Sequence, residues 1–415
     1  HTIDGATVAA LQNSLPFALT AGQRRAVNAI LADMALATPM RRLVQGDVGC
    51  GKTAVAMHAV AAAADGGYQT AVMAPTEVLA EQHGRTFRRW LEPLGLQVAV
   101  LTGSSENARE LRARVASGDV HLLVGTQALI QKATQFQNLG LVIVDEQHRF
   151  GVRQRVTLAN KGRFPDLLHL TATPIPRSLA LAIEGAVDLT VIDELPPGRR
   201  PVKTSYVPEE KLAELYAFIE AEARSGRQTY YVCPLIEESE ELSARAVTER
   251  FQTLGQTTFG KLRAGLLHGR LNSDEKDGVL RAFEHGELDV LFTTTVIEVG
   301  VDVPRATVMV IEDAARFGLA QLHQLRGRVG RGRDAGWCFL LGKPTTESGR
   351  RRLETLCATN SGFDIAEADL QLRGPGELLG LRQAGIGELR LADLRRDAAL
   401  LLRARQDADA LLELN

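Results

Sequence analysis

The sequence is poor in the features that would place it in a membrane, in an oxidising compartment or on a uniformly charged partner. Its cysteines are only four, Cys50, Cys233, Cys338 and Cys357, with no CxxC pair and no metal-ligand spacing. That excludes a disulfide scaffold and fits a reduced, intracellular chain. Long hydrophobic runs are missing too. The longest charge-free apolar stretch, Ala54 to Ala64, lies between Lys52 and Asp65, well short of the ~20 residues that a membrane helix requires. No signal peptide opens the chain, and His1-Thr2 in place of an initiator Met suggests a cut from something longer. Neither charge sign dominates: 48 basic residues face 50 acidic ones, for a net −2. A surface basic all over is excluded, but a locally basic one is not. There is no short-period repeat and no low-complexity segment.

What is present reads as ordinary globular protein. It is 45% hydrophobic and 24% charged over 415 residues, enough for two to three domains at roughly 150 residues each. Short apolar runs alternate with helical patterns: Arg42–Gln45, Thr70–Met73, Val98–Leu101, Val120–Val124, Leu141–Val144 and Leu167–Leu170 are expected strands. Continuous apolar strands separated by helices predict a parallel sheet covered on both faces. The alternation breaks near Ile192, where three prolines and a glycine between Pro196 and Pro201 read as a linker. It then restarts. Pro208 opens a helix with Leu212, Leu215, Phe218 and Ile219 on one face. Strands are expected at Thr229–Val232, Ala264–Leu267, Val290–Thr293, Val308–Ile311 and Gly336–Leu341. From about Ser348 the pattern turns helical and belongs to neither α/β unit. The fold class is therefore α/β: two parallel-sheet domains over residues 1–192 and 203–347, a linker at 193–202, and a small, mostly helical element at 348–415.

Two strings carry chemistry. Gly46-Asp47-Val48-Gly49-Cys50-Gly51-Lys52-Thr53 satisfies the GxxxxGK[ST] pattern between a strand and an Ala-rich helix. Its glycines let backbone N–H groups curl round phosphate oxygens, Lys52 reaches the β- and γ-phosphates, and the Thr53 hydroxyl ligates Mg2+. Leu141-Val142-Ile143-Val144-Asp145-Glu146 ends a buried strand in two carboxylates. Asp145 suits Mg2+, and Glu146 suits the base that orients an attacking water. Together they point to a nucleoside-triphosphate-hydrolysing unit. The second unit holds the run Gln321 to Arg331, in which Arg328 and Arg331 stand three apart among glycines. Arginines presented from outside a phosphate loop can neutralise transition-state charge.

The set resembles a superfamily 2 helicase, and several strings narrow the resemblance to the RecG family. They include Asp145-Glu146-Gln147-His148-Arg149-Phe150-Gly151, Thr173-Pro174-Ile175-Pro176-Arg177 and Asp193-Glu194-Leu195-Pro196-Pro197-Gly198-Arg199. To these add Thr294 to Pro304 and Arg316 to His323. The resemblance implies two RecA-like domains that use ATP and Mg2+ to move on double-stranded DNA and remodel branched DNA. It implies that Phe17 and Gln23 contact adenine, and that Gly300 and Asp302 meet nucleotide. Pro75, Thr76, Gly125, Thr126 and Gln127 in the first domain, with His268, Arg270, Thr294 and Thr295 in the second, are implied to contact DNA. His148, Thr171 and Thr173 resemble residues that couple hydrolysis to domain movement. Gln324, Arg328 and Arg331 resemble the motif that closes on the γ-phosphate. The run Gly362 to Glu367, followed by Arg373, Arg382 and Gln383, resembles the family's translocation motif. A bacterial cytoplasmic monomer at the nucleoid, meeting branched duplex DNA and single-stranded-DNA-binding protein, is the implied setting. Family members also carry an N-terminal wedge domain, for which the residues before Leu15 are too few. Two other readings stay open: a transcription-repair coupling translocase, which shares several strings but not the linker, and a nucleotide-binding DNA scaffold without turnover.

Charge is uneven along the chain. Residues 1–200 hold 20 basic and 17 acidic side chains, against 28 and 33 in the remainder. Arg149, Arg153, Arg155, Lys161 and Arg163 form a run without an acid, read either as a solvated face or as a phosphate track. Aromatics suited to base stacking are scarce there, with Phe150 and Phe164 alone.

Overall fold

The computed structural model describes residues 5–146, 150–172, 187–198, 200–234, 240–298, 303–332 and 334–373, with a few single positions between 397 and 411. The described residues up to Pro196 form one compact unit, and those from Pro197 to Arg373 form another.

The first unit is built on a parallel sheet. Its strands are β1 (Arg41–Gly46), β2 (Gln69–Met73), β3 (Val98–Leu101), β4 (Leu122–Gly125), β5 (Leu139–Asp145), β6 (Asp166–Thr171) and β7 (Asp188–Ile192). The spatial order is β3-β4-β2-β5-β6-β1-β7. β2 and β4 are buried at every residue, as strands covered on both faces must be. The apolar run after the phosphate loop becomes the helix Lys52–Asp65, buried continuously from Ala54 to Ala63. Small alanines allow that helix to pack against β2, β5 and three neighbouring helices at once. At its far end the Asp65 carboxylate accepts from the N–H groups of Thr7 and Val8, capping the helix Ala6–Ser14.

The second unit repeats the plan. Its strands are β8 (Lys203–Tyr206), β9 (Gln228–Val232), β10 (Ala264–Leu267), β11 (Val290–Thr293), β12 (Ala306–Ile311) and β13 (Trp337–Leu340), in the order β10-β11-β9-β12-β13-β8, all parallel. The helix after Pro208 spans Leu212–Arg224 and buries Leu215 and Ile219 against an aromatic core of Tyr231, Phe259 and Phe292.

Every strand expected from the apolar runs is present. The additional strands, β7 and β8, are the sheet edges beside the Pro/Gly-rich segment. β8 reads Lys203-Thr204-Ser205-Tyr206 and is mostly exposed, so it carries no apolar run to announce it. The C-terminal pattern fits neither α/β unit by itself, yet the helices Glu347–Ala358 and Gly362–Arg373 pack on the helix Leu319–Arg326 of the second unit. Buried Leu353, Leu356, Ile365 and Leu370 line this packing, and a buried cation ties it. Arg326 donates to the carbonyls of Leu356 and Thr359, each at 2.8 Å, and lies 3.0 Å from Nδ1 of His323.

Candidate functional site

In the first unit, β1 and β5 flank β6, so the loop after β1, the end of β6 and the end of β5 share one sheet edge. The register fixes their heights: Gln45 stands beside Thr171, and Asp145 beside Leu170. Ligands meet open α/β sheets at this carboxyl edge.

The phosphate loop starts at Gly46, where the chain is so close to Cys50 and Ile192 that a Cβ would collide with the Cys50 sulfur. It ends at Gly51, which caps the following helix with φ 87°, a left-handed conformation that glycine adopts without strain. Asp47 accepts from the N–H of Val48 at 2.6 Å. Lys52 folds back over the loop, with Nζ 2.7 Å from the Gly46 carbonyl, 3.0 Å from that of Asp47 and 3.8 Å from the Cys50 sulfur. Cys50 is buried, whereas Gly49 is exposed, and Gly51, Lys52 and Thr53 are half-buried at the helix start. Gln23 holds this loop from behind. Its Oε1 completes a capping box with Thr20, and its Nε2 donates to the Cys50 carbonyl at 2.8 Å. Both ends of that amide are thus engaged. Phe17 stands half exposed in the segment before the helix Ala21–Met34.

Asp145 closes β5. Burial alone would push its carboxyl up, but His83, Lys52 and the Glu146 N–H outweigh burial and hold it below the usual carboxylate range. His83 Nε2 lies 2.8 Å from Asp145 Oδ2, and the N–H of Glu146 donates to Oδ1 at 3.1 Å. Glu146 takes φ 51°, a conformation that costs a non-glycine residue of order 1–3 kcal/mol and that clusters at functional edges. The donor set fits a magnesium nucleotide: a helix N-terminus with loop N–H groups for phosphate, a hydroxyl at Thr53, and one carboxylate kept ionised. No group of three or more His, Cys, Asp or Glu side chains able to hold a metal occurs among the described residues. Magnesium in phosphate-loop sites takes one or two protein ligands plus substrate oxygens, so such a cage is not required.

The other residues singled out in the sequence fall as follows. Pro75 and Thr76 form the half-buried turn before the helix Glu77–Leu91, where Thr76 accepts from the N–H of Leu79. Gly125 closes β4 against the Leu101 carbonyl, half-buried Thr126 caps a short 3-10 turn, and Gln127 in that turn is exposed. Thr171 is fully buried at the end of β6. In the second unit His268 is half-buried and Arg270 is exposed, forming an ion pair with Glu241 at 3.2 Å; both line an open cavity of about 500 Å³. Burial, with Lys276 and Arg270, pushes the His268 pKa down. Thr294 is buried and accepts through its carbonyl from the Thr293 hydroxyl at 2.9 Å, while Thr295 is half-buried. Gln324 is buried in the helix Leu319–Arg326, and Arg328 follows it. Arg331 is half-buried, with Nε donating to the Gly327 carbonyl at 2.9 Å. His148, Thr173, Gly300, Asp302, Arg382 and Gln383 lie outside the described residues, as does the side chain of Arg373.

Two members of the basic run are taken up by the fold. Lys161 donates to the Gln131 and Thr134 carbonyls at 2.8 and 2.6 Å, and burial lowers its pKa. Arg155 sits near buried His169. Arg153 and Arg163 are exposed. Sequence reasoning missed His83. Its only local signal is a polar side chain on the buried side of a helix, beside Ala80, Gly84 and Phe87.

Three family models match the chain in order. They are described as DEAD/DEAH box helicase over residues 20–181, helicase conserved C-terminal domain over 210–333, and ATP-dependent DNA helicase RecG, domain 3, C-terminal, over 359–415. The ATP-dependent DNA helicase RecG of Synechocystis is 52% identical over 400 residues, covering 96% of this chain and 48% of its own length. That of Bacillus subtilis is 51% identical over 397 residues, covering 95% and 58%. The chain thus spans about half the length of the curated relatives it matches. A structure of RecG bound to a three-way DNA junction superposes with a TM-score of 0.80 at 44% identity, over 96% of this chain and 53% of that one. Yeast Dbp5 bound to RNA and ADP BeF3, at TM-score 0.62 and 18% identity, shares the two-domain RecA-like fold. No described helix is long and apolar enough to cross a membrane.

Proposed function

The chain belongs to the RecG family of ATP-dependent DNA helicases, and we propose that it is a motor that hydrolyses ATP to move on and remodel branched double-stranded DNA. One observation carries the reading: the Gly46–Thr53 loop and the Asp145-Glu146 pair sit on one edge of one sheet, two strands apart. In this reading Lys52 leaves its loop carbonyls for the β- and γ-phosphates, and the loop N–H groups bind the phosphate oxygens. Thr53 and Asp145 would hold Mg2+, which when bound neutralises phosphate charge. Glu146 orients the attacking water, and its strained backbone aims the carboxylate. Gln324, Arg328 and Arg331 answer the charge that develops on the γ-phosphate. Gly300 and Asp302 are assigned to nucleotide.

The DNA-facing set is assigned to Pro75, Thr76, Gly125, Thr126, Gln127, His268, Arg270, Thr294 and Thr295. For the buried Thr294 this means a contact through backbone or by local opening. His148, Thr171, Thr173, Arg373, Arg382 and Gln383 are assigned to coupling. The relative solved on a three-way junction supports branched DNA as the substrate class. A monomer in the bacterial cytoplasm, working at the nucleoid with single-stranded-DNA-binding protein, completes the proposal.

The test is phosphate release with duplex, forked and four-way-junction DNA. Turnover stimulated most by branched DNA is expected. Absence of turnover under every condition would leave only a nucleotide-binding scaffold.

A further inference from the structure

The helix Glu77–Leu91 connects two places that the proposed function keeps apart. Its first turn follows Pro75-Thr76, assigned above to DNA, and its second turn ends at His83, whose Nε2 touches Asp145 at 2.8 Å. The pair is largely shielded, with His83 and Asp145 side chains 14% and 15% exposed. The histidine is not loosely placed. Its ring lies 6.2 Å from that of fully buried Phe87, four residues on, which fixes its direction.

The helix itself is held rigidly. Gly84 packs so tightly on β3 that a Cβ would collide with Val100, and Leu79, Ala80 and Leu91 are buried on the same side. At the N-terminal end, Glu77 accepts from the Gly103 N–H at 2.8 Å and from the Ser104 hydroxyl at 2.7 Å. One continuous packed helix thus joins the Pro75-Thr76 turn to the imidazole, and through it to the carboxylate beside the phosphate loop.

We propose that His83 is a positioning residue for Asp145: it orients the carboxylate for the magnesium nucleotide and passes the state of the Pro75-Thr76 turn to it. The inference rests on the assignment of Asp145 to the magnesium nucleotide and of the turn to DNA. The histidine touches no reacting atom. A donor behind a metal-binding carboxylate selects which oxygen lone pairs face the ion, and loss of such a partner typically costs about 10- to 100-fold in metal affinity or activity.

The experiment uses two variants. His83→Phe keeps the ring beside Phe87 and removes the donor, while His83→Gln returns an N–H near the position of Nε2. Three readouts are taken for each: the Mg2+ concentration that half-saturates tight ADP binding by calorimetry, the ratio of DNA-stimulated to basal ATPase, and the melting temperature. His83→Phe is expected to need about 10-fold more Mg2+ and to lose most of the DNA stimulation, with His83→Gln recovering both. Unchanged Mg2+ requirement in His83→Phe overturns the proposal. So does an equal fall in melting temperature in both variants with no shift in Mg2+ requirement, which would mark the pair as a structural ion pair. Wild-type protein that shows no DNA stimulation at all removes the relay to the turn, and the assignment of the turn to DNA with it. The ADP readout then still decides whether His83 positions Asp145.

Discussion

The two units share a parallel-sheet plan but fill it differently. The first packs small and aliphatic residues: a helix of alanines lies behind the phosphate loop, and its core cluster runs through Ala71, Met73, Leu101, Val142 and Val144. The second is stapled by rings. Tyr231 and Phe292 lie 4.9 Å apart, Tyr216 meets Phe259 edge-on at 5.5 Å, and Phe218 meets both Trp337 and Phe339. The polar residues diverge in the same way. At the edge of the first sheet they engage backbone that a ligand can replace, as Lys52 does with its loop carbonyls. In the second unit charge is spent on tying elements together: Arg250 is paired with Glu312 at 2.6 Å, and burial still pushes that carboxyl above its usual range. The contrast is clearest between Lys52, whose carbonyl partners a phosphate can replace, and Arg250, whose carboxylate partner fixes it in the fold. Where charges are locked, the same residue types hold the fold.

The sharpest way to break this contrast is at the first edge. Lys52→Ala and Glu146→Gln should each reduce phosphate release by about 100-fold or more: the first removes the cation assigned to the β- and γ-phosphates, the second the carboxylate assigned to orienting the attacking water. Glu146→Gln should keep ATP binding, since the loop and Lys52 are intact. Near-normal release in Glu146→Gln would remove that carboxylate from the role of base. It would also make its φ of 51° a purely structural feature.

Within the second unit the contrast runs through one motif. Arg331→Ala should cost hydrolysis on the order of 10³-fold while leaving DNA binding and melting temperature near wild type. Arg326→Ala should do the reverse. It strips the carbonyls of Leu356 and Thr359 of their donor, at about 1–3 kcal/mol for the buried Leu356 acceptor and less for the half-buried Thr359 one. Chemical denaturation and phosphate release on both variants decide it. Equal loss of stability in the two would erase the distinction between a catalytic and a structural arginine.

How much of this was legible follows from distance along the chain. The phosphate-binding motif Gly46–Thr53 is eight consecutive residues, and Asp145-Glu146 terminates an unbroken apolar run, so local sequence carries both. β7 and β8 escaped because edge strands need no apolar run, and β8 offers a lysine, a threonine and a serine. His83 escaped for another reason: its partner is 62 positions away, and nothing near it marks the pairing. The basic run from Arg149 to Arg163 misled in part. A count of charges cannot show that Lys161 donates to two carbonyls rather than facing DNA.

The finest test lies on a single strand of the first unit, away from the nucleotide edge. Asp166 opens β6, where burial raises its pKa to about 6 although the Met40 N–H donates to it at 2.6 Å. His169, three residues on, is pushed down to about 4 by burial and by Arg155. The folded chain keeps the Asp166 proton between the ordinary 3.8 and about 6, whereas the unfolded chain has released it. This contribution therefore falls as pH rises through that window. His169 acts oppositely. The unfolded imidazole binds a proton below the ordinary 6.5 and the folded one only near 4, so this contribution falls as pH drops from 6.5 to 4. In the parent the two trends offset each other. His169→Gln should expose the Asp166 trend, losing stability relative to the parent toward pH 6, and Asp166→Asn should gain it there. Each difference is on the order of 1–3 kcal/mol across the window. Denaturant midpoints at half-unit steps from pH 4 to 7 measure it. Both variants sloping in the same direction relative to the parent would show that this strand's two buried groups do not titrate as a compensating pair.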